Sequence, residues 1–135
     1  MLRIYPACFY REKNGQVSVV FPDLAYRATY GNDVDEAMKM AVDLLASYIF
    51  TLEQEGSEIK RPSDISEIRL DNTFDYKEGF VSLVSVDVEE YAKNHFEKPI
   101  KKTVTIPKWL NDRAVSEHVN FSNLLKEALL KHLHL

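Results

Sequence analysis

The first 31 residues alternate strand-like runs with turn residues. Tyr5 to Tyr10 and Val17 to Phe21 are rich in aromatic and β-branched residues. The Asn14-Gly15 step between them supplies the positive φ that a tight hairpin requires. A third run of the same kind, Ala25 to Tyr30, ends at Gly31. The pattern therefore predicts a three-stranded meander.

A helical period follows the meander. From Asn32 or Asp33, either of which is a good N-cap, apolar residues recur at spacings of three and four. This spacing continues to about Glu55, and Gly56 is a typical helix stop. The pattern predicts one long amphipathic helix, and its first-turn carboxylates are expected to favour the helix dipole rather than to form an active site.

A polar stretch then leads to a second sheet element. Residues 56–78 are mostly polar, with enough isoleucine and leucine to predict a partly packed loop or a short strand. Phe80 to Val86 is apolar on both sides, as expected of a buried strand, and Asp87 could cap a short helix through Tyr91 and Ala92. Residues 94–99 are the predicted linker. The order β-β-β-α-β predicts an α+β layer with the helix across one sheet face.

The last third of the chain predicts a strand and two helices. Residues 101–106 alternate polar and apolar side chains, and Pro107 is suited to the first turn of a helix. Leu110, Ala114 and His118 follow at spacings of four, so they indicate a first helix. Asn120 is a good N-cap for a second helix that extends to about His132.

Such a unit buries too little surface to fold alone, so it is predicted to dimerise. Pairing the strand with its copy gives a two-stranded ribbon whose lysine and threonine side chains could bond to base edges in the major groove. Backbone N–H groups at the start of the second helix would bind a phosphate. The residues predicted to bind DNA are Lys101, Lys102, Thr103, Thr105, Asn120, Phe121 and Ser122. The residues predicted to form the dimer are Val104, Ile106, Leu110, Ala114, Leu125, Ala128 and Leu129.

The ordered set KTVTIP, Leu110 with Ala114, and NFSNLLKEAL resembles the ribbon-helix-helix family of dimeric DNA-binding repressors. The alternative is an amphipathic dimerisation tail whose threonines only favour strand structure.

The net charge of this segment differs from that of the rest of the chain. Residues 1–99 carry 11 Lys and Arg against 18 Asp and Glu, a net of −7, whereas residues 100–135 carry 6 against 3, a net of +3. Two domains are predicted, residues 1–98 and residues 99–135, the acidic one suited to a basic protein and the basic one to nucleic acid.

The first domain also carries a family signature. Tyr5-Pro6, Asn14-Gly15, Phe21 to Leu24, Thr29-Tyr30-Gly31 and Asp35-Glu36-Ala37 together resemble the HicB-type antitoxins. The resemblance implies a partial ribonuclease-H-like domain that binds and occludes HicA, a small mRNA-cleaving toxin. It also implies a C-terminal DNA-binding module that represses the operon. The chain departs from the family pattern at residues 25–27, which leaves the fold intact and bears on the partner surface.

No active site is expected. The four histidines lack metal-ligand spacing, Cys8 has no second cysteine, and Asp23, Asp87, Glu89 and Glu90 fall at strand ends or in a helix cap. Neither a metal nor a cofactor is predicted. With no signal peptide or long apolar run, a cytoplasmic bacterial protein is expected. The alternatives to an autorepressing antitoxin are a stand-alone regulator that senses a ligand or protein through its first domain and, less favoured, a nuclease.

Overall fold

The computed structural model describes residues 1–73, 75–97 and 99–135. The chain divides into two compact units, Met1–Lys98, called unit 1 here, and Pro99–Leu135, called unit 2. The described elements of unit 1 are β1 Leu2–Arg11, β2 Val17–Phe21, β3 Arg27–Gly31, α1 Val34–Glu55, a 3-10 turn Ile65–Glu67, β4 Glu78–Asp87 and α2 Val88–His95. Those of unit 2 are α3 Lys108–Ser116 and α4 Phe121–His132.

The strands of unit 1 form one antiparallel sheet in the order β3-β2-β1-β4. The long β1–β4 ladder runs from Leu2 opposite Asp87 to Arg11 opposite Glu78. The predicted α+β class and the element order of the first domain are confirmed. The predicted strand Phe80–Val86 lies inside β4, which is longer at both ends because β1 offers ten residues for pairing.

One face of the sheet packs against α1. Alternate side chains of β1, namely Tyr5, Ala7 and Phe9, are fully buried on this face. From α1 the buried residues are Ala37, Ala41, Leu45, Ala46 and Ile49. The small alanines let the helix backbone approach the sheet, and the resulting apolar core explains why unit 1 is compact.

The ends of α1 follow the predicted capping. The Asp33 carboxylate accepts a hydrogen bond from the Glu36 N–H at 2.8 Å, and Gly56 adopts the left-handed conformation with φ of 67°. These contacts satisfy backbone groups that the helix itself leaves free at each end.

The opposite face of β1 contacts the polar segment 57–73 around Arg69 and Asp71. The Cys8 thiol donates to the Arg69 carbonyl at 3.8 Å, and the Tyr10 hydroxyl accepts from the Asp71 N–H at 2.9 Å. Burial raises the pKa of Tyr10 to about 12. Cys8 is a free, buried cysteine. The segment is thus a packed loop with one 3-10 turn.

Three predicted boundaries in the chain are wrong. Ala25 and Tyr26 do not begin β3, because both have positive φ (55° and 56°) within successive turns closed by the Leu24 and Arg27 N–H groups. His118 lies outside α3 with φ of 56°, since the helix ends in a turn in which the Val119 N–H bonds to the Ala114 carbonyl. The predicted linker, residues 94–99, starts too early, because α2 continues to His95. Lys98 of this linker lies outside the described residues.

Residues 101–106 form no strand in the single chain. A strand is stabilised by hydrogen bonds to a neighbouring strand, and the described part of unit 2 contains two helices and no strand with which residues 101–106 could pair. The strand prediction for this segment therefore fails for the isolated chain. Among the described helices, none combines the length and the hydropathy of a membrane-spanning segment.

Candidate functional site

Unit 2 exposes most of the side chains that a folded domain would normally bury. Neither α3 nor α4 contains a buried residue. Of the residues predicted to dimerise, Val104, Ile106, Leu110, Leu125 and Leu129 have exposed side chains, Ala128 is exposed and Ala114 is half-buried. An apolar surface of this extent on so small a unit is typical of a protein interface.

The exposed apolar residues border a groove of about 830 Å³ within unit 2. One wall is the segment 99–103 and the other is α4. Its lining residues are Pro99, Ile100, Lys101, Lys102, Thr103, Ser122, Leu125, Lys126, Leu129, Leu130 and Leu133. The groove brings four of the predicted DNA-binding residues beside two of the predicted dimerisation residues.

The positive charge of unit 2 is concentrated around this groove. On α3, Lys108 pairs with Asp112 at 2.8 Å and Arg113 pairs with Glu117 at 3.5 Å, so these charges offset one another. The remaining lysines, Lys101, Lys102, Lys126 and Lys131, form no ion pair with a described carboxylate. Unit 2 therefore presents a basic surface, which is the general requirement for contact with a phosphate backbone.

The start of α4 offers backbone donors. The Asn120 side chain accepts from the Asn123 N–H at 3.1 Å and so caps the helix as predicted. Phe121 and Ser122 occupy the first turn, where N–H groups lack an acceptor within the helix. Thr103 and Ser122 line the same groove, whereas Thr105 is exposed outside it.

Asp23 has a structural role that the sequence did not reveal. Its buried carboxylate accepts from the Ser63 N–H and hydroxyl, both at 2.7 Å, and pairs with the Lys60 ammonium at 2.9 Å. Burial alone would raise the pKa of Asp23, but the hydrogen bonds from Ser63 and the charge of Lys60 outweigh it and lower that pKa. The Tyr5 hydroxyl donates to the Lys60 carbonyl nearby. These contacts fix the loop after α1 against the core. The Asp23–Ser63 contact joins residues 40 positions apart, so no local sequence pattern indicates it.

The described residues contain no group of three or more His, Cys, Asp or Glu side chains that could hold a metal ion. Asp23 is engaged by Ser63 and Lys60, while Asp87 caps α2 by accepting from the Glu90 N–H at 3.3 Å. His95 stacks on Tyr91 with ring centres 3.9 Å apart. Asp23, Asp87 and His95 are thus engaged in structural contacts.

Comparisons with known proteins agree on one family. Residues 5–129 match the family described as "HicB_like antitoxin of bacterial toxin-antitoxin system". A solved structure described as a toxin-antitoxin complex from Streptococcus pneumoniae is 35% identical, with a TM-score of 0.64 over 98% of this chain and 99% of that one. The antitoxin HicB of Burkholderia pseudomallei, at 24% identity, shares the fold with a TM-score of 0.51 over 97% of this chain and 96% of that one. No match was found among the curated proteins.

Proposed function

Because the chain belongs to the HicB-like antitoxin family of bacterial toxin-antitoxin systems, we propose that it performs two tasks with its two units. Unit 1 binds and neutralises a HicA-type, mRNA-cleaving toxin. Unit 2 dimerises as a ribbon-helix-helix module and binds operator DNA, so that the protein represses its own operon in the bacterial cytoplasm. Neither task requires catalysis by this chain.

The observation that carries the DNA-binding proposal is the open apolar groove of unit 2. A basic unit whose leucines are all exposed gains its core from a second copy, because burial of apolar surface is the main stabilising term. Leu125 and Leu129 of α4 supply that surface on each chain. The homodimer is therefore the functional form of unit 2.

Dimerisation also explains why residues 101–106 lack strand structure in one chain. Paired with its copy, this segment gains the ladder that it lacks alone, with Val104 and Ile106 facing the helices. Thr103 and Thr105 then face outward together with Lys101, toward the base edges of the major groove. The Phe121 and Ser122 N–H groups contact a phosphate. Two dimers on adjacent half-sites would give a tetramer.

The proposal for unit 1 rests on charge and on family. An RNA-cleaving toxin needs a basic surface to hold its substrate, and residues 1–99 carry a net charge of −7 that is complementary to it. The similar S. pneumoniae structure is described as a toxin-antitoxin complex. A protein that covers the RNA-binding surface of a toxin stops mRNA cleavage by exclusion alone.

The direct test is bacterial growth on inducing the small reading frame adjacent to this gene. We expect arrest when that frame is induced alone and rescue when this protein is made with it. The matched control is the full chain with Leu125→Asp, which places a charge in the unit 2 groove and leaves unit 1 unchanged. It should still rescue growth.

If the product of the adjacent reading frame does not arrest growth, the toxin-binding part of the proposal is wrong. In that case the DNA-binding dimer stays, and the protein is a stand-alone regulator whose first unit senses a small molecule or another protein. Metal-dependent nuclease activity that disappears on a single carboxylate substitution would contradict both proposals.

A further inference from the structure

The outer edge of β4 is the longest open strand edge in unit 1. The sheet ends at β4, and no described strand lies on its outer side. Edges of this length are usually blocked by charge, proline or a covering element, because they readily pair with another chain. In β4 the charged residues are confined to the ends, Glu78 and Asp87, with eight uncharged residues between them.

The ladder pattern identifies the backbone groups at this edge. The Glu12 N–H bonds to the Gln16 carbonyl, which directs the even residues of β1 toward β2. The Arg11 carbonyl accepts from the Lys77 N–H, so the odd residues of β1 face β4. Their β4 partners are even-numbered. The N–H and C=O groups of Gly79, Val81, Leu83 and Ser85 therefore point to the outer edge, where no described strand bonds to them. The Leu83 carbonyl also accepts from the Ser82 hydroxyl at 3.3 Å, a side-chain contact that a pairing strand would replace or share.

An apolar strip lies beside these open groups. Leu83 has 51% of its surface exposed, on the sheet face opposite α1. It pairs with Pro6, and Ile4 on the next row is 42% exposed. A strand added outside β4 would set its own side chains against Leu83 while its backbone bonds to the open groups.

We propose that the β4 edge is where unit 1 takes up a strand of the basic toxin, extending its sheet to five strands with Leu83 as the apolar anchor. This inference rests on the proposed antitoxin function. Charge favours the toxin over a second copy of this chain, because two units of net −7 repel each other when packed edge to edge. Exposed Glu89 and Glu90, directly after β4, add negative charge at one end of this edge.

The first test compares substitutions at Leu83 in the full chain for binding to the purified product of the adjacent reading frame. Leu83→Lys and Leu83→Glu both remove the apolar anchor, but only lysine adds a charge of the toxin's sign. We expect Leu83→Lys to weaken binding roughly 10- to 100-fold, and Leu83→Glu to weaken it less. Equal binding by wild type and both variants would overturn the β4 assignment and leave the antitoxin function intact.

A second pair of variants tests backbone pairing at matched edges. Leu83→Pro removes an outward N–H from β4, and Ala28→Pro removes the corresponding outward N–H from β3, at the opposite edge of the sheet. Circular dichroism first checks that both variants fold. Only Leu83→Pro should weaken toxin binding, and equal weakening by the two variants would contradict the proposal.

Amide hydrogen exchange gives a readout that does not depend on any substitution. In the wild-type protein the amides of Gly79, Val81, Leu83 and Ser85 should exchange fast when free and slowly in the toxin complex, while the outward amide of Ala28 stays fast. Protection of the β4 amides before toxin is added would assign the edge to a second copy and overturn the proposal. Absence of any toxin binding by the wild type would instead refute the antitoxin function itself.

Discussion

Asp23 shows how one side chain can fix a long loop. Its carboxylate is buried and receives two hydrogen bonds from Ser63 and a charge contact from Lys60. The sequence marked it only as a polar residue at a strand end, because its partners lie in a segment without a recognisable pattern. The structure makes it the link between the turn after β2 and the loop after α1.

We expect Asp23→Asn to reduce the free energy of unfolding by about 1 to 3 kcal/mol at pH 7, because the buried bonding pattern is disrupted. The folded pKa of Asp23 is lowered, so its contribution is present above the unfolded value near 4 and is lost as pH falls through the folded value. Urea unfolding measured from pH 7 to pH 2 should show that the free energies of unfolding of the wild type and the variant become similar at low pH. The control is Asp64→Asn, whose exposed carboxylate bonds only locally to Ser66 and should matter less.

Gly31 lies where β3 and α1 pack closely. A Cβ atom there would lie 2.3 Å from the Ala37 backbone nitrogen and 2.7 Å from the Glu36 carbonyl carbon. Since backbone cannot yield as a flexible side chain can, Gly31→Ala should destabilise unit 1 by roughly 2 to 4 kcal/mol in thermal or urea unfolding. Gly15→Ala is the control: its φ of 89° is unfavourable for alanine, but nothing lies within 4 Å, so the destabilisation should be about 1 kcal/mol. A larger effect at Gly15 would contradict the packing argument.

At the level of elements, periodicity predicted most of unit 1. The β1–β2 hairpin, α1 with its two caps, β4 and α2 were all indicated by side-chain spacing and by capping residues, which are local signals. The packed loop 57–73 was not predicted in detail, since its contacts to Cys8 and Tyr10 join residues 61 positions apart. The turn at Ala25 and Tyr26 was missed because nonglycine residues there adopt positive φ, against their usual preference.

In unit 2 the helices were predictable, whereas the predicted strand is absent from the single chain. Local spacing identified α3 and α4, while residues 101–106 lack within one chain the hydrogen bonds that a strand requires. The predicted DNA-binding residues stay a prediction, although the groove places Thr103 beside Ser122.

The ribbon assignment predicts a specific pattern of DNA affinities. Thr103→Ala should weaken binding to operator DNA by about 1 to 3 kcal/mol for each base that the threonine reads, with little change on unrelated DNA. Lys101→Ala should also reduce the dependence of binding on salt, because fewer counterions are released. Fluorescence anisotropy at several salt concentrations measures both effects. Equal weakening by Thr103→Ala on operator and unrelated DNA would argue against base reading.

For the whole molecule, the proposed function assigns a separable activity to each of the two units. Leu125→Asp should split the dimer and abolish operator binding while toxin neutralisation continues. Analytical ultracentrifugation measures the dimer, and the fluorescence of Trp109, the single tryptophan and 69% exposed in one chain, reports on unit 2 as the concentration rises. A monomeric variant that still bound its operator would contradict the dimer model.

Under the proposed function, the missing core of unit 2 sets an order of events in the cell. Unit 1 contains its own core, so the proposed toxin binding requires no second copy of the chain. Operator occupancy by the proposed dimer would, by contrast, rise with the square of the chain concentration while dimers are scarce. Early in synthesis the protein would neutralise the toxin, and it would repress its own promoter only after its concentration had crossed a threshold. Dilution of the protein at cell division would reverse this order of events. Transcription would resume while enough protein remained to neutralise the toxin.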